Sequence, residues 1–396
     1  MNLPDDVLFI IDTMNSHGYS AHVVGGSVRD YLIGRELGDF DITTNALPEE
    51  TKRVFSEYRT VDTGIKHGTV TLVLNGTPYE ITTYRVDGDY LDNRHPESVS
   101  FTTSLADDLV RRDFTVNAMA YDPYGGLVDL FGGREDLKFG VIRAVGDPYK
   151  RFDEDALRIL RALRFASVLG FDVDTDTLKA ARALCGRLSA ISKERIYTEL
   201  KKLIAGKDAS RILIDYADVL EIAFEGVRVK RLPCKALFNE ADYLTRLLVI
   251  FYLNSENATE CAERTLTALK TDKLTRTHTV AVLSAYEGVS LTSESMALGA
   301  LADHGEAVVR GVLALGILLG RFTDREALCL DAAIESKRPY MISQLALRGS
   351  DLVAAGIRGE RVGAALRELL YATVDGKVEN EHGALLSYIL KQNSKA

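Results

Sequence analysis

Two kinds of hydrophobic pattern divide the chain near residue 150. Before that point helical and strand-like segments alternate: DDVLFIIDTMNSHG has helical spacing, YSAHVVGG is typical of a short buried strand, and SVRDYLIG begins a helix directly after two glycines. The run GTVTLVLNGTPYEITTYR predicts two strands joined by Asn75-Gly76, because this dipeptide between alternating runs is a strong hairpin signal. From about residue 151 a helical Leu/Ala periodicity continues to the end of the chain. We therefore predict an α+β protein, with a mixed sheet in an N-terminal head and an all-helical remainder.

Three further elements complete the predicted head. DFDITT is typical of a strand, LPEETKRVFSEY of a helix, and SLADDLVRRDFTVNAMAY of one more helical segment. Turn-forming residues suggest further divisions near 215 and 330. The predicted domains are a head at 1–150 and three helical parts at 151–215, 216–330 and 331–396.

Length and charge limit the classes of function. A chain of 396 residues is long enough for two to four domains that each bury a core. The net charge of −9 argues against a protein that coats nucleic acid with its whole surface, although a local basic groove remains compatible with it.

The remaining compositional signals are mostly negative. The longest apolar run, at 312–320, is far too short to span a bilayer, and the N-terminus has no signal-peptide pattern, so we expect a cytoplasmic protein without a membrane segment. The four cysteines are far apart without a C-x-x-C pair, which disfavours a zinc site or a disulfide framework. We expect Cys185, Cys234, Cys261 and Cys329 to be buried thiols.

Asp39 and Asp41 are the first candidate for chemistry. On a strand, residues two apart project from the same face, so both carboxylates would lie together while Phe40 points into the core. Two such oxygen ligands suit Mg²⁺ when substrate phosphates and water complete its coordination. A D-x-D pair alone is more often a solvated strand edge.

A possible phosphate cradle precedes the two aspartates. Gly25 and Gly26 stand between a strand and a helix, Ser27 is a natural N-cap, and Arg29 follows in the first helical turn. Backbone N–H groups at such a turn, with the helix dipole and a guanidinium, favour a bound phosphate. A tight turn needed only for packing is the alternative.

Together these residues provide both parts of a nucleoside-triphosphate site. Two-metal catalysis activates an attacking hydroxyl with one ion and holds the leaving pyrophosphate with the other. Glu80, on the second hairpin strand, is a candidate third carboxylate, although an exposed strand glutamate is the more ordinary interpretation.

Four segments in order resemble the class II tRNA nucleotidyltransferase and bacterial poly(A) polymerase family, within the DNA polymerase β superfamily. They are GGSVRDYLIGRELGDFDITT at 25–44, RRDFTVNAMAYD at 111–122, EDALRILRALRFA at 154–166 and ISKERIYTEL at 191–200. The resemblance implies that 1–150 is the catalytic head, 151–215 a base-recognising neck, 216–330 a body and 331–396 a tRNA-binding tail. It also implies that Arg112 and Asp113 recognise the ribose.

The third segment carries the base specificity that the resemblance implies. With three-residue spacing, Asp155, Arg158 and Arg161 would follow neighbouring turns of one helix, beside an apolar stripe of leucines. One carboxylate acceptor and one guanidinium donor match the edges of cytosine and adenine, while guanine and uracil would leave buried groups unpaired. Arg161 and Arg164 are expected near the triphosphate. In an isolated helix the same residues would form a solvated stripe.

The RNA partner is expected in the helical part. Candidate phosphate contacts there are Lys193, Arg195, Lys201 and Lys202 in the neck, and Arg348, Arg358 and Arg361 in the tail, where 345–380 resembles the family less closely. Each is individually more typical of a solvated surface charge.

The predicted reaction is template-independent addition of CCA to the tRNA 3′ end from CTP and ATP, with Mg²⁺ and release of pyrophosphate. The segment between the first two motifs has the length of complete CCA-adding relatives, although His95 stands where relatives often carry arginine. Alternatives are CC or A addition, poly(A) synthesis, a nucleotide-binding protein without chemistry, and a small-molecule nucleotidyltransferase. The oligomeric state stays open, with a homodimer among the alternatives.

Overall fold

The computed structural model describes residues 1–88 and 99–393, which form two compact units at 1–228 and 229–396. His95, singled out in the sequence, lies outside the described residues together with the rest of 89–98. The predicted four-part division at 150, 215 and 330 is finer than this separation and stays a prediction.

The first unit contains the mixed sheet. Its strands are β1 (Ala21–Val24), β2 (Asp41–Thr44), β3 (Arg59–Gly64), β4 (Thr69–Leu74), β5 (Thr77–Thr83), β6 (Arg85–Asp87), β7 (Val99–Phe101), β8 (Met119–Asp122), β9 (Gly126–Asp129), β10 (Val141–Ile142) and β11 (Asp172–Val173). Seven of these strands form one sheet in the order β3-β4-β5-β2-β1-β8-β9. β2 runs parallel to β5, and the other neighbours in this sheet are antiparallel.

Helices surround the sheet and continue beyond it. In the first unit they are α1 (Asp5–Ser16), α2 (Gly26–Leu32), α3 (Pro48–Val54), α4 (Leu105–Val110), α5 (Gly133–Phe139), α6 (Pro148–Glu154), α7 (Leu157–Leu169), α8 (Thr175–Leu184), α9 (Lys193–Ile204), α10 (Ala209–Asp215) and α11 (Ala217–Ala223). In the second unit they are α12 (Lys235–Glu240), α13 (Tyr243–Asn254), α14 (Ala258–Ala268), α15 (Lys273–Ala285), α16 (Glu294–His304), α17 (Glu306–Leu318), α18 (Asp324–Glu335), α19 (Gly349–Ala354), α20 (Glu360–Val374) and α21 (His382–Asn393).

Local sequence explains the elements that position the site. The β4 sequence TVTLVL alternates buried and half-buried residues, and Asn75 and Gly76 turn the chain into β5 with φ angles of 50° and 84°. Register then aligns Asp41 on β2 with Glu80 on β5. The predicted hairpin and the predicted α+β class are confirmed.

Other local expectations are wrong in detail. The helix predicted through 104–121 ends at Val110, and the chain then forms a short 3₁₀ turn and strand β8, because Met119 and Ala120 are buried beside β1. The helix predicted through 154–166 breaks at Asp155, whose backbone is extended, and α7 begins at Leu157.

The four cysteines are free but less buried than expected. Cys234 is exposed, and Cys185, Cys261 and Cys329 are only half-buried, since each lies on the partly open side of a helix or turn. Within the described residues no helix is both long enough and apolar enough to cross a membrane.

Candidate active site

A cavity of about 470 Å³ in the first unit gathers most of the predicted site residues. Its lining combines the turn after β1, the start of β2, the segment after α4, and one side of α7 with the residues just before that helix. The lining residues are Gly25, Gly26, Arg29, Asp41, Arg111, Arg112, Asp113, Asn117, Asp155, Arg158, Arg161, Arg164 and Phe165.

The side chain of Arg112 lies very close to the glycine turn. Gly25, not the predicted Ser27, is the N-cap of α2, with φ 73° and ψ −128°. The positive φ favours glycine here, and a Cβ atom at Gly25 would lie 3.2 Å from Nη1 of Arg112, so a larger residue would also require this side chain to shift. The Ser27 side chain is buried instead, and its hydroxyl donates to the Val24 carbonyl.

The carboxylates lie at the start of β2 and in the middle of the neighbouring strand β5. Asp41 is the first residue of β2, and Asp39 precedes the strand, where Phe40 is half-buried rather than in the core. Glu80 is exposed and lies beside Asp41 in the parallel register, so the two side chains share one face of the sheet. Asp41 lines the cavity, whereas Asp39 and Glu80 do not.

Asp41 has an altered proton affinity. Although the residue is partly open to solvent, its carboxyl group is crowded by protein, and this loss of hydration raises its pKa. The guanidinium of Arg112 opposes the rise in pKa, and the negative charge of Asp39 adds to it. A cation between the two aspartates would relieve this repulsion.

A buried carboxylate holds the arginine beside Asp41. Asp108, fully buried on α4, accepts from Nη2 of Arg112 at 3.2 Å and from Arg111 at 2.7 and 3.0 Å. It also accepts from the Thr43 hydroxyl of β2 at 3.3 Å. Burial alone would raise the pKa of Asp108, but the two guanidinium groups outweigh it and keep the pKa below its usual value.

Asp113 is the most heavily bonded carboxylate of the cavity. Its Oδ1 accepts from the Phe114 backbone N–H and from Asn117, and its Oδ2 accepts from Nε and Nη2 of Arg161 at 2.8 and 2.5 Å. Burial would raise the pKa of Asp113, yet Arg161, the Asn117 hydrogen bond and Arg158 together lower it to about 2. A ribose hydroxyl that reached Asp113 would therefore have to replace one of these contacts.

The pair predicted to recognise the base lies at the start of α7. Oδ1 of Asp155 accepts from the Leu157 backbone N–H at 3.0 Å, and Oδ2 accepts from Arg195 of α9 at 2.8 Å. Arg158 is buried and donates to Glu154 at 2.7 Å and to the carbonyl oxygens of Arg111 and Arg151 at 3.1 Å. Asp155 and Arg158 are thus held separately although both face the cavity.

Comparison with known proteins identifies the family. The model of the poly(A) polymerase head domain matches residues 21–143, and the model of a probable RNA- and SrmB-binding site of polymerase A matches 170–220. The chain is 38% identical to the CCA-adding enzyme of Levilactobacillus brevis over 399 residues, covering 96% of both proteins. The chain belongs to the CCA-adding enzyme family.

Two further relatives show how the similarity is distributed. The CCA-adding enzyme of Geobacillus thermodenitrificans is 53% identical over 206 residues, so the chain spans only 50% of that relative in this alignment. The crystal structure of the Bacillus stearothermophilus CCA-adding enzyme in complex with CTP superposes with a TM-score of 0.80 at 33% identity, covering 100% of this chain and 99% of that one. The predicted resemblance is confirmed, and the protein is a tRNA nucleotidyltransferase.

Within this CCA-adding family member, sequence reasoning missed three residues that organise the arginines. Asn117 accepts from Nη1 of Arg29 at 2.6 Å and donates to Asp113, so it links the glycine turn to the centre of the cavity. The Phe165 ring lies beneath three guanidinium groups, with centroid distances of 5.1 Å to Arg29, 5.5 Å to Arg161 and 3.7 Å to Arg164.

Glu199 on α9 is the third missed residue. It is buried, accepts from Nε of Arg164 at 2.5 Å, and lies 3.8 Å from Nη1 of Arg161. Burial lowers the pKa of Arg164, and Glu199 counteracts this. The position of Glu199 four residues after Arg195 on one helical face was the available signal, since both side chains then project toward α7.

The predicted phosphate contacts outside the cavity differ in their surroundings. Lys193 forms an ion pair with Glu225, Arg195 turns toward Asp155, and Lys201 and Lys202 are exposed. In the second unit, Arg348, Arg358 and Arg361 are exposed, and the last two line a surface cavity formed by the segment after α19 together with α20 and α21.

Proposed function

We propose that this enzyme adds C, C and A to the 3′ end of tRNA, using CTP and ATP. The observation that supports this best is that one cavity combines Asp41, several arginines and the Asp155–Arg158 pair. The tRNA 3′-hydroxyl would attack the α-phosphate of the nucleotide. A bond forms between the 3′ oxygen and the α-phosphorus, the α–β anhydride bond breaks, and pyrophosphate leaves.

Magnesium is the proposed cofactor, held by Asp39 and Asp41. Within residues 1–88 and 99–393, no three His, Cys, Asp or Glu side chains are grouped to hold a metal. Two carboxylates with phosphates and water nevertheless suffice for Mg²⁺, and the mutual repulsion of the two aspartates fits a cation there. When bound, the ion would activate the attacking hydroxyl and neutralise the leaving phosphates.

The arginines account for the phosphate end of the proposed substrate. Arg29, Arg161 and Arg164 surround Phe165 at the cavity wall, and guanidinium groups suit phosphate oxygens. Arg112, between Gly25 and Asp108, is the member of the proposed ribose pair that lies beside Asp41.

Asp155 and Arg158 are the proposed readers of the base. The carboxylate would accept from the exocyclic amine of cytosine or adenine, and the guanidinium would donate to a ring nitrogen or oxygen. Uracil and guanine present a carbonyl oxygen where the amine is needed. Arg158→Ala should therefore relax base choice as well as slow addition.

Experiments with different tRNA acceptors distinguish complete CCA addition from its alternatives. Purified enzyme would be given tRNA transcripts lacking CCA, lacking only A, or intact, with labelled CTP and ATP. We expect CMP and AMP incorporation on the first and AMP alone on the second; failure to incorporate CMP would contradict CCA and CC addition alike. Long A tracts on all three would indicate poly(A) synthesis.

The metal assignment has its own test. Asp39→Ala and Asp41→Ala should each abolish incorporation while tRNA binding, measured by filter retention, stays close to that of the unchanged enzyme. Turnover that survives both substitutions would refute the assignment. Glu80→Gln tests the third carboxylate, and we expect a smaller loss of rate because Glu80 lies outside the cavity lining.

The tRNA is proposed to contact the exposed cations of the neck and tail, Lys201, Lys202, Arg358 and Arg361 foremost. The cytoplasmic location and the oligomeric state, with a homodimer among the alternatives, stay predictions.

A further inference from the structure

Arg195 of helix α9 has a different environment from the one its sequence context predicts. As a neck cation it was expected to meet RNA phosphates. In the structure its guanidinium forms an ion pair with Asp155, with Nη2 2.8 Å from Oδ2, and its side chain is 23% exposed. Its charge is therefore engaged beside the cavity rather than presented to solvent.

This ion pair completes the fixation of Asp155. The carboxylate can rotate only if it gives up a contact, because one oxygen caps the N–H of Leu157 and the other is held by Arg195. The Leu157 contact is local to the start of α7 and follows the chain, whereas Arg195 reaches across from another helix. Removing Arg195 would leave Asp155 tethered at one oxygen only.

We propose that Arg195 is a positioning residue that sets base selectivity by fixing the orientation of Asp155. The proposal rests on the proposed function, in which Asp155 accepts from the amine of cytosine or adenine. Arg195 can only donate hydrogen bonds, so a carboxylate bound to it must remain an acceptor. A carboxylate aimed in this way discriminates against the carbonyl oxygen of uracil, and one that can turn away discriminates less.

The chain offers a matched control for this ion pair. Arg187 pairs with Asp153, two residues before Asp155, so it is also an arginine–aspartate contact that reaches α6 from another part of the neck. It lies outside the cavity lining, and both side chains are about half exposed. Loss of this pair removes a similar interaction without releasing Asp155.

The test compares CTP and UTP as competitors on tRNA lacking CCA, under single-turnover conditions. We expect Arg195→Ala to lower the CTP/UTP preference on the order of tenfold, the effect of losing one oriented hydrogen bond. Arg195→Lys keeps the charge but not the planar fork, so its CTP/UTP preference should lie between those of Arg195→Ala and the unchanged enzyme. Arg187→Ala should retain the original preference. Circular dichroism and thermal unfolding would establish that each variant is folded.

A double substitution makes the test specific to Asp155. If Arg195 acts through Asp155, adding Arg195→Ala to an Asp155→Asn variant should change the CTP/UTP preference no further. Full additivity would contradict the proposal, as would an Arg195→Ala variant that slows CTP and UTP equally.

The phosphate-contact alternative gives a different result. It predicts weaker tRNA binding and a shallower salt dependence in Arg195→Ala, with unchanged base preference, and this outcome would overturn the proposal. Failure of the proposed function is separate, because it would appear as absent CMP incorporation by the unchanged enzyme.

Discussion

At the scale of single residues, Asp113 connects stability to the arrangement of the cavity. It accepts hydrogen bonds from three neighbours while buried, and its pKa is lowered to about 2. A depressed carboxyl pKa stabilises the folded state above the unfolded pKa, and this contribution disappears as pH falls through the folded pKa. The pKa difference corresponds to about 2 kcal/mol.

Asp113→Asn should therefore lower the free energy of unfolding at neutral pH by about 2 kcal/mol. The difference between variant and unchanged enzyme should be constant above about pH 4 and shrink below it, toward the folded pKa near 2. Urea unfolding at pH 7, 5, 4 and 3 measures both the loss of stability at neutral pH and its decrease in acid. A difference that stays constant down to pH 3 would contradict the ion-pair explanation.

Gly25 provides a second prediction at this scale. Gly25→Ala introduces both a strained backbone, since φ is 73°, and a contact of 3.2 Å with Arg112. We expect the strain to cost roughly 1–3 kcal/mol of stability and the displaced arginine to reduce kcat/KM for CTP on the order of tenfold or more.

The control for Gly25 is Gly18→Ala. Gly18 has φ 84° and no atom within 4 Å of an added Cβ, so this substitution strains the backbone without touching the cavity. Thermal unfolding and steady-state kinetics of both variants separate the two effects. Equal losses of kcat/KM in the two variants would show that backbone strain alone is responsible.

At the scale of elements, one face of α9 supplies partners to two residues that line the cavity: Arg195 pairs with Asp155, and Glu199 pairs with Arg164. Glu199→Gln would remove the buried negative charge that pairs with Arg164 and lies near Arg161. Breaking a buried pair typically costs about 3–5 kcal/mol, which urea unfolding would detect. Because a bound triphosphate could replace the lost negative charge, CTP should raise the melting temperature more in this variant than in the unchanged enzyme.

A more exposed pair of the same helix is the comparison for Glu199. Glu225→Gln breaks the contact with Lys193, where both side chains are roughly a quarter exposed, and we expect a loss of about 1 kcal/mol or less. The melting-temperature increase with CTP should match that of the unchanged enzyme. A Glu199 variant that behaves like the Glu225 variant would contradict the assigned role.

The sequence was most informative where chemistry and local pattern coincide. The hairpin at Asn75-Gly76, the glycine turn and the spacing of Arg158, Arg161 and Arg164 were all predictable because short-range geometry decides them. The break in the helix at Asp155 was not predictable, because the periodicity alone would continue the helix. Asp155 instead has an extended backbone, and its carboxylate accepts from the Leu157 N–H at the start of the next helix. The partners Asn117 and Glu199 depend on contacts between distant segments, which spacing along the chain does not reveal.

At the scale of the whole molecule, an enzyme with a net charge of −9 must bind a polyanion through local cationic surfaces. In the second unit, Arg358 is exposed just before α20 and Arg361 is exposed in its first turn, and both line a surface cavity. Because these arginines belong to the second unit and the proposed nucleotide cavity to the first, we expect tRNA affinity and CTP affinity to respond to different substitutions.

We expect the double substitution of Arg358 and Arg361 by alanine to weaken tRNA binding while leaving KM for CTP unchanged at saturating tRNA. Each lost phosphate contact should reduce the slope of log K against log salt concentration by about 1, so a decrease of one to two is expected. Lys179→Ala, which removes an exposed cation paired with Asp176 in the first unit, is the control and should leave the slope unchanged. An unchanged slope in the double variant would show that these arginines are solvated surface charges, and an altered CTP KM would mean that they act on the nucleotide cavity rather than on the RNA.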